Sequence, residues 1–187
     1  MVTCLALLLV SGVALAATIR GTGGDNRLVG TNRGEEIYGL GGGDRAFGRG
    51  GDDQVYGGNG ADTLQGESGA DEVSGDSGTD NVDGGTGEDA LSGGTGPDTM
   101  EGGGGVSEIF GGPGEDDITG STDASDDLYG GSGDDFIDAV DAREDLVDCG
   151  RLEGPDVGGF DTDTAIVDEV DILVDCENVV VNNQTSP

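Results

Sequence analysis

The stretch Gly57-Gly58-Asn59-Gly60-Ala61-Asp62-Thr63-Leu64-Gln65 decides the fold. Its pattern, Gly-Gly-x-Gly-x-Asp-x-(apolar)-x, recurs in register from Gly21 to Val147. Fourteen units start at Gly21, Gly30, Gly39, Gly48, Gly57, Gly66, Gly75, Gly84, Gly93, Gly102, Gly111, Gly120, Gly130 and Ala139, with one extra residue assigned to the unit Gly120 to Tyr129. The eighth position reads Leu28, Ile37, Ala46, Val55, Leu64, Val73, Val82, Leu91, Met100, Ile109, Ile118, Leu128, Ile137 and Leu146. Every one is apolar. A disordered, low-complexity segment has no reason to keep one apolar column through this much Gly and Asp, so the column predicts a core.

The chain has 187 residues, of which 33% are hydrophobic, 4% aromatic and 41 are Gly. An ordinary globular domain draws on a richer apolar supply. With 40 Asp and Glu against 7 Lys and Arg, the formal charge is -33, and self-repulsion opposes compaction. A multivalent cation is therefore implied by folding itself. A polyanionic nucleic acid would be repelled, and no basic patch is present to hold one. The sequence contains no His, which removes HExxH zinc chemistry and Ser-His-Asp nucleophiles, and no GxSxG elbow occurs. The reading is non-enzymatic.

The sixth position is acidic in a nearly unbroken run, and the first and fourth positions are mostly Gly, as sharp turns with φ > 0 or close backbone approach require. A turn of about six residues followed by a strand of about three makes half a coil, so identical corners stack every two units at about 4.8 Å. One edge then carries Asn26, Asp44, Asp62, Asp80, Asp98, Asp116 and Asp135. The other carries Glu35, Asp53, Asp71, Asp89, Ser107, Asp126 and Glu144. A calcium ion takes about six to eight oxygen ligands, which stacked carboxylates and exposed turn carbonyls can supply together. Magnesium demands tighter octahedral geometry, and softer metals recruit His or Cys, neither of which occurs in the repeats. Burial of a large aliphatic side chain stabilises by about 1.5 to 3 kcal/mol, while each ordered residue loses about 1 to 2 kcal/mol of backbone entropy. One apolar residue in nine cannot offset that loss, so metal binding must contribute to folding.

The ends differ from the centre. Residues 1–17 contain an apolar run closing on Ala14-Leu15-Ala16 and read as a secretory signal peptide, although no basic residue stands near Met1; a short membrane anchor is the second reading. Asn26, Glu35 and Arg33 depart from the repeat where a first unit acts as a cap. Residues 18–147 form the repeat domain. Residues 148–187 are richer in apolar side chains and are read as a short β cap over the open end. Cys149 and Cys176 remain once a leader holding Cys4 is removed, and a disulfide between them suits an exported chain; a metal pair or free thiols are the alternatives.

The units Gly48-Arg49-Gly50-Gly51-Asp52-Asp53-Gln54-Val55-Tyr56 and Gly84-Gly85-Thr86-Gly87-Glu88-Asp89-Ala90-Leu91-Ser92 resemble the hemolysin-type, or RTX, calcium-binding nonapeptide family. The Asp148-Cys149-Gly150 and Val174-Asp175-Cys176-Glu177 ending is similar to that of small secreted bacterial members, actinobacterial ones especially. The resemblance implies an all-β fold, a parallel β-roll or flattened right-handed β-helix solenoid, with several Ca2+ ions between neighbouring turns. Carried over by position, Asp44, Asp53, Asp62, Asp71, Asp80, Asp89, Asp98, Asp116, Asp126 and Asp135 become the calcium ligands. The function so implied is that of a secreted, extracellular calcium-binding protein folded by external calcium, with no stable membrane span after leader removal. Two other readings stand beside it: an adhesion module reaching a cell-surface or glycan partner through calcium, and a detached accessory domain of a secreted hydrolase.

Overall fold

Residues 17–150, 162–168 and 171–182 are described in the computed structural model of the chain; the signal reading falls outside them except at Ala17. Every regular element among the described residues is a β-strand. One sheet holds β1 (Ala17–Arg20), β3 (Glu35–Gly41), β5 (Gln54–Gly60), β7 (Glu72–Gly78), β9 (Asp89–Ser92), β11 (Ser107–Pro113), β13 (Asp127–Ser132), β15 (Leu146–Asp148) and β17 (Ile172–Val174), in that spatial order. The other holds β2 (Arg27–Val29), β4 (Arg45–Gly50), β6 (Thr63–Ser68), β8 (Asn81–Thr86), β10 (Thr99–Gly103), β12 (Asp117–Ser121), β14 (Phe136–Asp138), β16 (Thr164–Val167) and β18 (Asn178–Val181). All ladders are parallel, and the regular register pairs residue i with i+18, as in Val55 with Val73 and Leu64 with Val82. Two nonapeptides therefore make one coil. The fold is a parallel β-roll.

Alternation along each strand turns the eighth position inward. Ile37, Val55, Leu64, Ile109, Ile118, Leu128 and Ile137 are fully buried, and the two facing ladders form the core between the sheets. Strands reach up to seven residues because pairing continues into the glycine turns, as in Gly58 with Asp76 and Gly60 with Gly78. The expected three-residue strand was only the apolar part.

The glycine columns divide their work differently from the expected first and fourth positions. At the fourth position Gly60 has φ 139°, a conformation that L side chains resist. The first position has no such φ; a Cβ on Gly57 would instead strike Asp62 Oδ2 and come 2.9 Å from Gly75 O. The second position is also left-handed, and there Leu40, Arg49, Glu67 and Asp76 hold φ of 80°, 82°, 73° and 69°. These side chains store strain of about 1 kcal/mol each.

The last repeat departs from its sequence register. Leu128 pairs with Val147, which is fully buried, and the backbone N–H of Asp126 donates one rung on to Asp145 Oδ1 at 2.7 Å. Asp145 and Val147, rather than Glu144 and Leu146, thus fill the sixth and eighth positions. A second extra residue lies in this unit, near the left-handed Ala142 at φ 71°. Beyond it, β16, β17 and β18 prolong both sheets in parallel, and Cys149 bonds to Cys176. Ala139, Cys149 and Val167 stand where earlier rungs have the first glycine, and all three join the core.

Relieving the second-position strain should stabilise the roll. Glu67→Gly is expected to raise the unfolding free energy by up to about 1 kcal/mol, the gain being reduced by the added freedom of the unfolded glycine. Gly57→Ala should destabilise it and weaken calcium binding; denaturant titration in calcium reads both.

Candidate metal centre

Each acidic corner is fixed by the rung before it. The backbone N–H of Asp44 donates to Asp62 Oδ1 at 2.7 Å, that of Asp62 to Asp80 Oδ1 at 2.8 Å, and that of Asp80 to Asp98 Oδ1 at 2.8 Å. Asn26 to Asp44, Asp98 to Asp116 and Asp116 to Asp135 continue this edge. On the opposite edge Glu35, Asp53 and Asp71 donate in turn to Asp53, Asp71 and Asp89. The eighteen-residue coil brings the predicted residues into two stacked columns, one on each edge.

The second carboxylate oxygen is left over. Oδ2 of Asp44, Asp53, Asp62, Asp71, Asp80, Asp89, Asp98 and Asp116 is buried and has no hydrogen-bond partner. It lies against the first glycine of its own unit. A Cβ on Gly84 would come 2.7 Å from Asp89 Oδ2 and 2.9 Å from Gly102 O; one on Gly93 would come 2.6 Å from Asp98 Oδ2 and 2.8 Å from Gly111 O. Two acceptors with no donor between them call for a cation or a proton. Among the described residues no three Cys, Asp or Glu side chains converge on one point, so backbone carbonyls must complete any coordination shell. A donor set made of oxygen alone suits a hard cation with flexible geometry.

Several corners are different, each for a visible reason. Asn26 Oδ1 accepts the N–H of Thr22 at 2.6 Å, and Glu35 Oε2 that of Thr31 at 2.8 Å. The first coil satisfies its own oxygens. Asp126 keeps its column, accepting Ser107 N–H on Oδ1, but its Oδ2 takes Ser121 N–H at 2.5 Å in the ten-residue unit. Ser107 offers no carboxylate to Asp89, whose N–H turns to Val106 O at 3.1 Å, and Ser107 Oγ is buried without a partner. A groove of about 660 Å³ runs beside this edge, lined in part by Asp53, Asp71, Asp89 and Ser107.

Three acids of the columns were not foreseen. Asp163 Oδ1 accepts Asp135 N–H at 3.0 Å, Asp145 Oδ1 accepts Asp126 N–H at 2.7 Å, and Asp171 Oδ1 accepts Asp145 N–H at 3.2 Å. Counting from Gly158 as a first position places Asp163 sixth and the buried Ala165 eighth, so that signal was present.

Burial raises these carboxyls, opposed by the backbone N–H each accepts. Asp80 and Asp145 are pushed up to about 7, and Asp53, Asp89 and Asp116 to about 6, from 3.8. Neighbouring carboxylates add to the rise at each of them. A carboxyl whose folded pKa exceeds its unfolded value binds its proton more tightly in the roll, so protonation favours the metal-free fold. That support is complete below about 3.8 and is lost as pH rises through about 6 to 7. In chelator, the strand signal in circular dichroism is therefore expected to grow as pH falls from 7 to about 5, while calcium affinity, which needs ionised ligands, falls over the same range.

A family model described as RTX calcium-binding nonapeptide repeat matches residues 20–55, 29–64, 56–91, 92–125 and 121–139. No curated protein matches the sequence. The matched segments span well over half of the chain, and within them lie the eight buried oxygens that lack a partner. On the strength of that match the chain belongs to the RTX calcium-binding nonapeptide repeat family.

Proposed function

We propose that Asp44, Asp53, Asp62, Asp71, Asp80, Asp89, Asp98 and Asp116 hold calcium ions along the two edges, with Asp126 and Asp135 at the C-terminal end of the regular columns, and that this binding folds a non-catalytic, secreted protein. The observation that carries the reading is the unpartnered, buried Oδ2 beside a glycine carbonyl, repeated at the eight corners Asp44, Asp53, Asp62, Asp71, Asp80, Asp89, Asp98 and Asp116. Bound calcium supplies positive charge between acceptors that otherwise repel. The aspartates orient their Oδ2 atoms by anchoring Oδ1 to the preceding rung, and the first-position glycines leave the space in which oxygens approach.

Charge supports the same reading. A chain of net charge -33 stays open while cations are scarce and compacts when its carboxylates are neutralised. Export into a calcium-rich, oxidising space supplies both the ions and the conditions for the Cys149–Cys176 bond. The leader at residues 1–17, the roll at 18–147 and the cap at 148–187 are the proposed division of the chain.

Calcium titration followed by far-UV circular dichroism tests this, with magnesium at equal ionic strength beside it. A cooperative gain of strand signal with calcium and only partial compaction with magnesium is expected; equal responses would reduce the effect to screening. Asp71→Asn should raise the calcium midpoint several-fold, whereas Glu35→Gln, already satisfied by Thr31, should move it by less than about twofold. Ser107→Asp should lower the midpoint by giving Asp89 N–H a carboxylate. Equal effects of the first two substitutions would refute the ligand register.

A further inference from the structure

We propose that calcium-folded copies of this chain stack head to tail, the last rung of one seated on the first rung of the next. The proposal rests on the reading that calcium folds the roll. Among the described residues both sheets end in free strand edges, β1 and β2 at one end and β17 and β18 at the other. Head-to-tail stacking continues both sheets at once and in parallel, placing β17 beside β1 and β18 beside β2. Free edges of this kind are templates for pairing unless they are covered or charged.

The C-terminal end is apolar where the core stops. Leu173 pairs with Val147 and Val179 with Ala165, so both continue the inward column, yet they are 38% and 39% exposed where their partners are fully buried. Val181, opposite the buried Val167, is 49% exposed. The first rung offers the matching column through Ile19, which pairs with Ile37 and is only partly covered. Soluble solenoids close such ends with a polar outer face, and among the described residues nothing covers these end strands.

Charge selects the partner and the direction. Residues 17–50 hold Arg20, Arg27, Arg33, Arg45 and Arg49 against Asp25, Glu35, Glu36 and Asp44, in a chain that has only 7 basic residues. Arg20 and Arg27 lie over the rings of Tyr38 and Phe47 at 5.0 and 4.9 Å and remain exposed on the first strands. The other end has Asp168, Asp171, Asp175 and Glu177 and no basic residue among the described positions 162–182. Head to tail sets the arginine-rich end against the acid-rich end, with Arg20 opposite Val174 beside Asp175 and Arg27 opposite Asn178 beside Glu177; tail to tail would set carboxylates against their own copies. The contact is heterologous, so it does not close at two copies.

Sedimentation velocity of the full chain across a wide concentration range, with and without calcium, tests the proposal, circular dichroism being read on every sample. In calcium the sedimentation coefficient should rise with concentration past the dimer, and in chelator it should not. Val181→Lys at one end, or Arg20→Glu with Arg27→Glu at the other, should each weaken self-association by roughly tenfold or more. A mixture of these two variants retains one intact pair of ends and should form heterodimers that grow no further. Val180→Lys, on the outward face of the same strand, replaces Val181→Lys should that variant lose its strand signal. A folded chain that stays monomeric in calcium overturns the proposal, and so does a dimer that survives the arginine changes. Loss of calcium-induced folding in the parent chain would overturn the function reading along with it.

Discussion

The interaction on which the rest depends is the bond from a corner's backbone N–H to the Oδ1 of the aspartate one coil later. It sets the register, because the donor and acceptor meet only when two nonapeptides make one coil. It also fixes the direction of the carboxylate. With Oδ1 committed to the neighbouring rung, Oδ2 is carried inward against the first glycine, where water does not reach it. A carboxylate held this way is a poor element of a metal-free fold and a good element of a cation site. The same contact therefore sets both the architecture and the place a cation would take.

Glycine and aspartate then become one device. The first-position Cα must be bare because two oxygens lie within contact of the place a Cβ would take. In the last rungs Ala139, Cys149 and Val167 occupy that column and turn it into core. The chain passes from coils organised around buried carboxylates to coils organised around apolar contacts and a disulfide. At the start, Thr22 and Thr31 supply the donors that Asn26 and Glu35 need, which ends the columns without a further rung.

Most of this was legible in the sequence because the repeat is spaced by sterics that allow little drift. The apolar column predicted the buried residues from Leu28 to Ile137, and the eighteen-residue stacking of acids followed from counting. The reading slipped where the chain gains a residue without losing a plausible pattern. Glu144 and Leu146 fit the template as well as Asp145 and Val147 do, and only the ladder decides between them. Asp163 fits the nonapeptide counted from Gly158, but the long interval after Asp135 breaks the periodicity that would have tied it to the spatial column. The exchange of roles between glycine positions was invisible for another reason: Leu40, Arg49, Glu67 and Asp76 tolerate a left-handed backbone that sequence preference assigns to glycine.

The constant spacing of the ladders bears on how such a chain acquires its form. Nearly every pairing joins residues about one coil apart, so closure never has to await a distant segment. Low contact order of this sort favours rapid, sequential zipping, with each completed coil serving as the template for its successor.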